Sequence, residues 1–184
     1  ILHPITHTDA NGLPLGSERD ESFQKMLLLD TGLFLRLLNM SLGDISELTT
    51  QILTASAADL VNKGPMAELV VGLEMLHYMS PNIRHELFYW VRHAKNSQAE
   101  VDYISNYLQV VVPVEVKADK QGGMKSLWQF MRDRKLHYAI RCSMENFGKF
   151  NYVDNEANGE VRHVRICPMY AVAKIEEIKH GIEK

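Results

Sequence analysis

Apolar positions recur with two different periods along this chain. Between residues 65 and 79, Met66, Leu69, Val70, Leu73 and Leu76 fall at the three- and four-residue spacing of one helical face, and Gly64-Pro65 supplies a proline suited to a first helical turn. The spacing predicts a helix with that stripe in the core. Leu87-Phe88-Tyr89-Trp90-Val91 is instead a continuous aromatic and branched run, which predicts a strand. Ala99-Glu100-Val101-Asp102-Tyr103-Ile104 and Val110-Val111-Val112-Pro113-Val114-Glu115-Val116-Lys117 flank a short polar break and read as two paired strands. The helical period returns at 124–134, with Leu127, Trp128 and Met131 inward and Lys125, Arg132, Arg134 and Lys135 on a basic outer side. Short strands are predicted at 138–142 and 161–166, separated by an excursion at 146–159, and a weak amphipathic helix at 173–184.

The start of the chain carries weaker signals. Asn11-Gly12 marks a hairpin-type turn and residues 16–22 read as a solvated loop, so 1–25 are expected as a linker and hairpin outside a domain spanning 26–184. Met26 to Leu29 is a short buried strand or the start of a helix, and Asp30 or Thr31 is a possible N-cap for a helix over 32–38. Residues 44–62 mix helix formers with Ser and Thr. From residue 65 to 142 the order is helix, strand, strand, strand, helix, strand, which places the chain in the α/β class.

Composition narrows the setting. Hydrophobic residues are 46% of the 184 and charged residues 23%, and no apolar run approaches the roughly 20 residues that span a bilayer. Cys142 and Cys167 show no metal-type spacing, which argues against a zinc site and fits a reducing cytoplasm. A net charge of −3 argues against a nonspecific nucleic-acid coat while leaving room for a local basic patch. The opening residues Ile1-Leu2-His3-Pro4 lack both an initiator Met and a signal-peptide pattern, so the chain reads as a piece of a longer protein.

The candidate chemistry lies between residues 99 and 117. Side chains alternate along a strand, so Glu100 and Asp102 share one face and Glu115 and Lys117 another, and a hairpin would gather three carboxylates and an ammonium. Carboxylates are preferred ligands of Mg²⁺, and an ammonium beside them would steady charge developing on a phosphate. Glu177-Ile178-Lys179 repeats the Glu-x-Lys spacing in the tail, so that spacing alone is weak. A surface Glu-Lys pair worth about 0.2–1 kcal/mol is the competing reading. Glu68 falls at the edge of its helix stripe, where sequence alone prefers solvent. No G-x-x-x-x-G-K-[ST] loop occurs, so ATP has no P-loop here. His77, His85 and His93 are scattered, Ser97 and Ser143 have no base pattern, and Trp90 and Trp128 read as core anchors.

Several of these segments together resemble a family. Leu29-Asp30-Thr31-Gly32-Leu33, Glu68 in an apolar helix, Tyr89-Trp90-Val91-Arg92, Ala99-Glu100-Val101-Asp102-Tyr103 and Pro113-Val114-Glu115-Val116-Lys117-Ala118 occur in that order across nearly the whole chain. The succession resembles the C-terminal domain of a group of bacterial AAA-type ATPases common in gut anaerobes, a domain similar to the PD-(D/E)XK nuclease superfamily. The segment His7-Thr8-Asp9-Ala10-Asn11-Gly12-Leu13-Pro14-Leu15-Gly16 also looks like the join to the ATPase and winged-helix parts of that family. The resemblance implies a restriction-endonuclease-like core, a mixed central sheet flanked by helices. It further implies that Asp102 and Glu115 bind Mg²⁺ or Mn²⁺, that Lys117 positions or activates the attacking water and stabilises the phosphorane, and that Glu68 orients from the preceding helix. Arg92, Lys95, Lys125 and Arg132 would follow nucleic-acid phosphates, and ATP would bind only in an N-terminal ATPase domain of the same chain. Gln98 stands where that family often has a Gly, which bears on loop shape. The expected activity is phosphodiester hydrolysis of nucleic acid; the alternative is a catalytically silent nuclease-fold module for nucleic-acid or protein binding and assembly.

Overall fold

The computed structural model describes residues 1–37, 63–80, 82, 85–92, 99–118 and 123–180. The expectations for 44–62, for the turn at 94–98 with Lys95 and Ser97, for His93 and for the last four residues of the tail lie outside the described residues. Eight strands form one mixed sheet: β1 Leu2–Thr8, β2 Arg19–Leu28, β3 Leu87–Val91, β4 Glu100–Tyr107, β5 Val110–Lys117, β6 Tyr138–Ser143, β7 Gly148–Asp154 and β8 Glu160–Pro168. Their spatial order is β2-β1-β3-β4-β5-β6-β8-β7. The pairs β1/β3, β5/β6 and β6/β8 are parallel, and the other neighbours are antiparallel. Four α-helices accompany it among the described residues: α1 Thr31–Leu37, α2 Lys63–His77, α3 Lys125–Asp133 and α4 Ile175–Lys179. None of these helices is long and apolar enough to cross a membrane.

The sheet separates two cores, so the chain is a mixed α/β fold in three layers. On one face α2, the 3-10 turn Met169–Lys174 and α4 cover Tyr103, Val112, Val114, Val116 and Ile140. On the other, α3 sets Leu127, Phe130 and Met131 against Trp90, Val101, Ile104 and Val111. Burying each of these side chains is worth about 1.5–3 kcal/mol. The strands predicted at 87–91, 99–104 and 110–117 and the helix at 124–134 are all present. Trp90 and Trp128 are buried, as core anchors should be, and Trp128 stacks on Tyr152 at 4.1 Å. Asp30 caps α1, its Oδ1 accepting the Leu33 N–H at 2.6 Å.

Four expectations are corrected. Residues 1–25 are hydrogen-bonded into the sheet: β1 pairs with β2 on one side and β3 on the other, and the expected solvated loop is a 3-10 turn followed by β2. The excursion at 146–159 contains β7, which pairs with β8 at the far sheet edge. On α2 the buried set is Ala67, Leu69, Val71, Leu73 and Met75, with Met66, Val70 and Leu76 only partly covered. The helix is packed against the sheet on one side and the 169–174 turn on another, so a single stripe underdescribes it. In the tail, the helix expected from residue 173 is α-helical only from Ile175, after the 3-10 turn Met169–Lys174, and its Lys179 is 1% exposed, the ammonium donating to Ser105 Oγ at 2.7 Å and the Asn106 carbonyl at 3.3 Å.

Candidate metal centre

The site begins with an irregularity in β4. Two steps along β3, from Phe88 to Trp90, match three along β4, from Ile104 to Val101, so Tyr89 lies opposite both Asp102 and Tyr103 and β4 carries an extra residue there. Val101 therefore packs into the α3 core and Tyr103 into the α2 core, although simple alternation puts them on one face. The recorded β4/β5 pairing ends at Tyr103↔Val114. Beyond it the Val116 N–H donates to Asp102 Oδ2 at 2.7 Å, so a carboxylate stands where a ladder carbonyl would.

Helix α2 brings the next acid. The Tyr103 hydroxyl donates to the Glu68 carbonyl at 2.8 Å and fixes the helix over the bulge. A Cβ on Gly72 would overlap the Tyr103 hydroxyl, so this close approach needs glycine. One carboxylate oxygen each from Glu68, Glu100 and Asp102 then lie within 4.8 Å of one another. Lys25 of β2 closes the group, its ammonium 3.5 Å from Glu68 Oε2, against Glu100 Oε1, and 5.0 Å from the centre of the Tyr89 ring.

Glu115 does not join this triad. Its Oε1 pairs with the Lys117 ammonium at 2.6 Å, while its Oε2 is buried with no hydrogen-bond partner. The whole residue is 3% exposed. Of the expected site residues, the fold thus joins Glu68 to Asp102 and Glu115 to Lys117. It adds Glu100, whose alternation with Asp102 was readable, and Lys25, which had no sequence signal. Arg132 spans to Asp154 at 3.1 Å and Glu156 at 2.8 Å, an internal tie to the β7 end rather than an open cation. Arg92 and Lys125 are exposed.

The charges act strongly on one another. Burial, then the Glu115 and Glu68 carboxylates, push Asp102 up to about 8, against the pull of the Val116 N–H and Lys25. Burial also raises Glu115, and Lys117 only partly offsets it. Burial lowers the Lys117 amine, but Glu115 outweighs it and the net direction is up, so Lys117 is an ammonium at neutral pH. The same balance, with Glu68 and Glu100 outweighing burial, raises Lys25. Four carboxylates therefore face two ammoniums, and with every group ionised the site has two negative charges in excess. One divalent cation would neutralise them. Ligand oxygens about 2.0–2.6 Å from a shared ion lie up to roughly 4–5 Å apart, so the triad is already near the spacing such an ion needs. The unpartnered Glu115 oxygen is the second sign that a positive group fits here.

A family model described as Domain of unknown function (DUF4143) matches residues 63–165, from the start of α2 into β8. No curated protein and no solved structure matches the chain. The matched span holds Glu68, Glu100, Asp102, Glu115 and Lys117, and leaves Lys25 outside it. It takes in more than half of the 184 residues, and the chain belongs to the DUF4143 family, a domain found in AAA-ATPase-associated proteins.

Proposed function

We propose that this domain is a metal-dependent nuclease-like module, with a restriction-endonuclease-like core, that hydrolyses phosphodiester bonds of nucleic acid as part of a larger AAA-type ATPase. The observation that carries this reading is the charge imbalance at the bulge: Glu68, Glu100, Asp102 and Glu115 against Lys25 and Lys117, with Glu115 Oε2 buried and unpartnered. Asp102, Glu68 and Glu100 would hold Mg²⁺ or Mn²⁺, with Glu115 beside them. When bound, such an ion supplies Lewis-acid polarisation of a phosphoryl oxygen and of the attacking water. Lys117 is held as an ammonium by Glu115, so it donates hydrogen bonds to charge developing on the phosphoryl group and does not serve as the base. The Val116 N–H keeps one Asp102 oxygen oriented and leaves the other for a ligand.

The test is direct. The purified chain should nick supercoiled DNA or cleave RNA with Mg²⁺ or Mn²⁺, and Asp102→Asn and Lys117→Met should each abolish cleavage. Cleavage that survives both substitutions would sink the assignment. One observation favours a second reading, a catalytically silent nuclease-fold module for binding or assembly: Arg132 is committed to Asp154 and Glu156, and Arg134 to Asp9, so part of the expected basic face is spent on internal ties.

A further inference from the structure

Resting on the metal reading above, we propose that Lys25 is the tethered counter-ion of the Glu68–Glu100 pair, and that a divalent cation loads by displacing its ammonium. Lys25 would then be the residue of this chain that sets how tightly the site takes a metal.

Three observations support this. The ammonium lies against two of the three triad carboxylates, 3.5 Å from Glu68 Oε2 and closer still to Glu100 Oε1, so it sits where a bound ion would compete for the same oxygens. It comes from β2, at the sheet edge, with its side chain 26% exposed, so it has solvent to move into. The Tyr89 ring, 5.0 Å from the ammonium, gives the displaced side chain an aromatic face to rest against without its carboxylate partners. Lys117 holds a different place: its ion-pair partner is Glu115, outside the triad, so the two lysines are not redundant.

Removing a positive charge about 4 Å from a cation site, at the intermediate dielectric of a half-buried cluster, should tighten divalent binding by at least about tenfold. The experiment is calorimetric titration of the 184-residue chain with MnCl₂, comparing wild type, Lys25→Met, Lys25→Arg and the exposed-strand control Lys149→Met. Lys25→Met should bind Mn²⁺ about tenfold or more tightly than wild type, while Lys25→Arg and Lys149→Met stay within about threefold. Equal or weaker binding by Lys25→Met, with wild type binding normally, overturns the role of Lys25 and leaves the metal reading standing. Absence of Mn²⁺ binding in wild type and Lys25→Met alike overturns both. A measurement on the wild-type chain does not depend on any variant folding: the side-chain ammonium ¹⁵N resonance of Lys25 should shift on Mg²⁺ addition, with the same midpoint as Mg²⁺ binding measured by calorimetry. A Lys25 resonance that stays in place at saturating Mg²⁺ overturns the displacement.

Discussion

Asp102→Asn should make the metal-free protein more stable at pH 8, although it alters the centre of the candidate site. The amide oxygen of asparagine can still accept the Val116 N–H, so the local bond at 2.7 Å is retained. What is lost is the charge. Asp102 ordinarily ionises near 3.8 but is pushed up to about 8 by burial and by Glu115 and Glu68. The folded state therefore binds the proton more tightly than the unfolded chain does. That contribution is fully present below about pH 4 and is lost as pH rises toward 8. Each pH unit between the two values is worth about 1.4 kcal/mol, so ionising Asp102 in place costs on the order of 5 kcal/mol before the site relaxes. Glu115, raised in the same direction, adds to the trend. Urea unfolding in EDTA at pH 4.5, 6, 7 and 8 measures it. The wild type should lose about 2–4 kcal/mol across that range; the variant should lose clearly less and be the more stable protein at pH 8. Mn²⁺ at a hundred times its dissociation constant should return about 2.7 kcal/mol to the wild type at pH 8. Wild-type stability that is flat or rises from pH 4.5 to 8, or a variant that follows the wild type throughout, would refute the reasoning.

Other perturbations separate the parts of the structure. Gly72→Ala drives a Cβ into the Tyr103 hydroxyl and should cost about 1–3 kcal/mol in urea unfolding, and should weaken Mn²⁺ binding because Glu68 moves with α2. Tyr103→Phe removes the hydroxyl donated to the Glu68 carbonyl; paired with Gly72→Ala it should recover part of that loss, which a double-mutant cycle reads. Leu108 is exposed and sits at φ 51 in the β4–β5 turn, so Leu108→Asn should raise stability by about 0.5 kcal/mol in the same assay. Lys179→Met leaves Ser105 and the Asn106 carbonyl without the buried ammonium and should cost about 1–3 kcal/mol.

The central elements were legible because the strands are buried on both faces and the helices on the side that meets the sheet. β3, β4, β5, α2 and α3 carry runs or periods that only a core can satisfy, and the β4–β5 pairing followed from their spacing. The sheet edges were not legible. β2 is exposed through most of its length and carries no apolar alternation, and β7 alternates only over Phe150 and Tyr152, too short a run among Gly and Asn residues to stand out, so both edges read as loop. Lys25 lies on β2, and its arrival at Glu68, 43 residues away, depends on that edge. The extra residue at Asp102-Tyr103 was hidden for a different reason. A bulge changes which face a side chain takes without changing composition, and here it puts Tyr103 into the α2 core, where its hydroxyl meets the Glu68 carbonyl, while Val101 stays in the α3 core.

The claim that carries the account is that these carboxylates hold a divalent cation. Crystals of the chain grown with MnCl₂ and measured at an X-ray energy where manganese scatters anomalously test it most directly. The account predicts one strong anomalous peak within about 2.3 Å of Asp102 and of at least one of Glu68 and Glu100, with the Lys25 ammonium moved off both glutamates. A map without a peak at millimolar Mn²⁺, and with Lys25 still bridging Glu68 and Glu100, would contradict it.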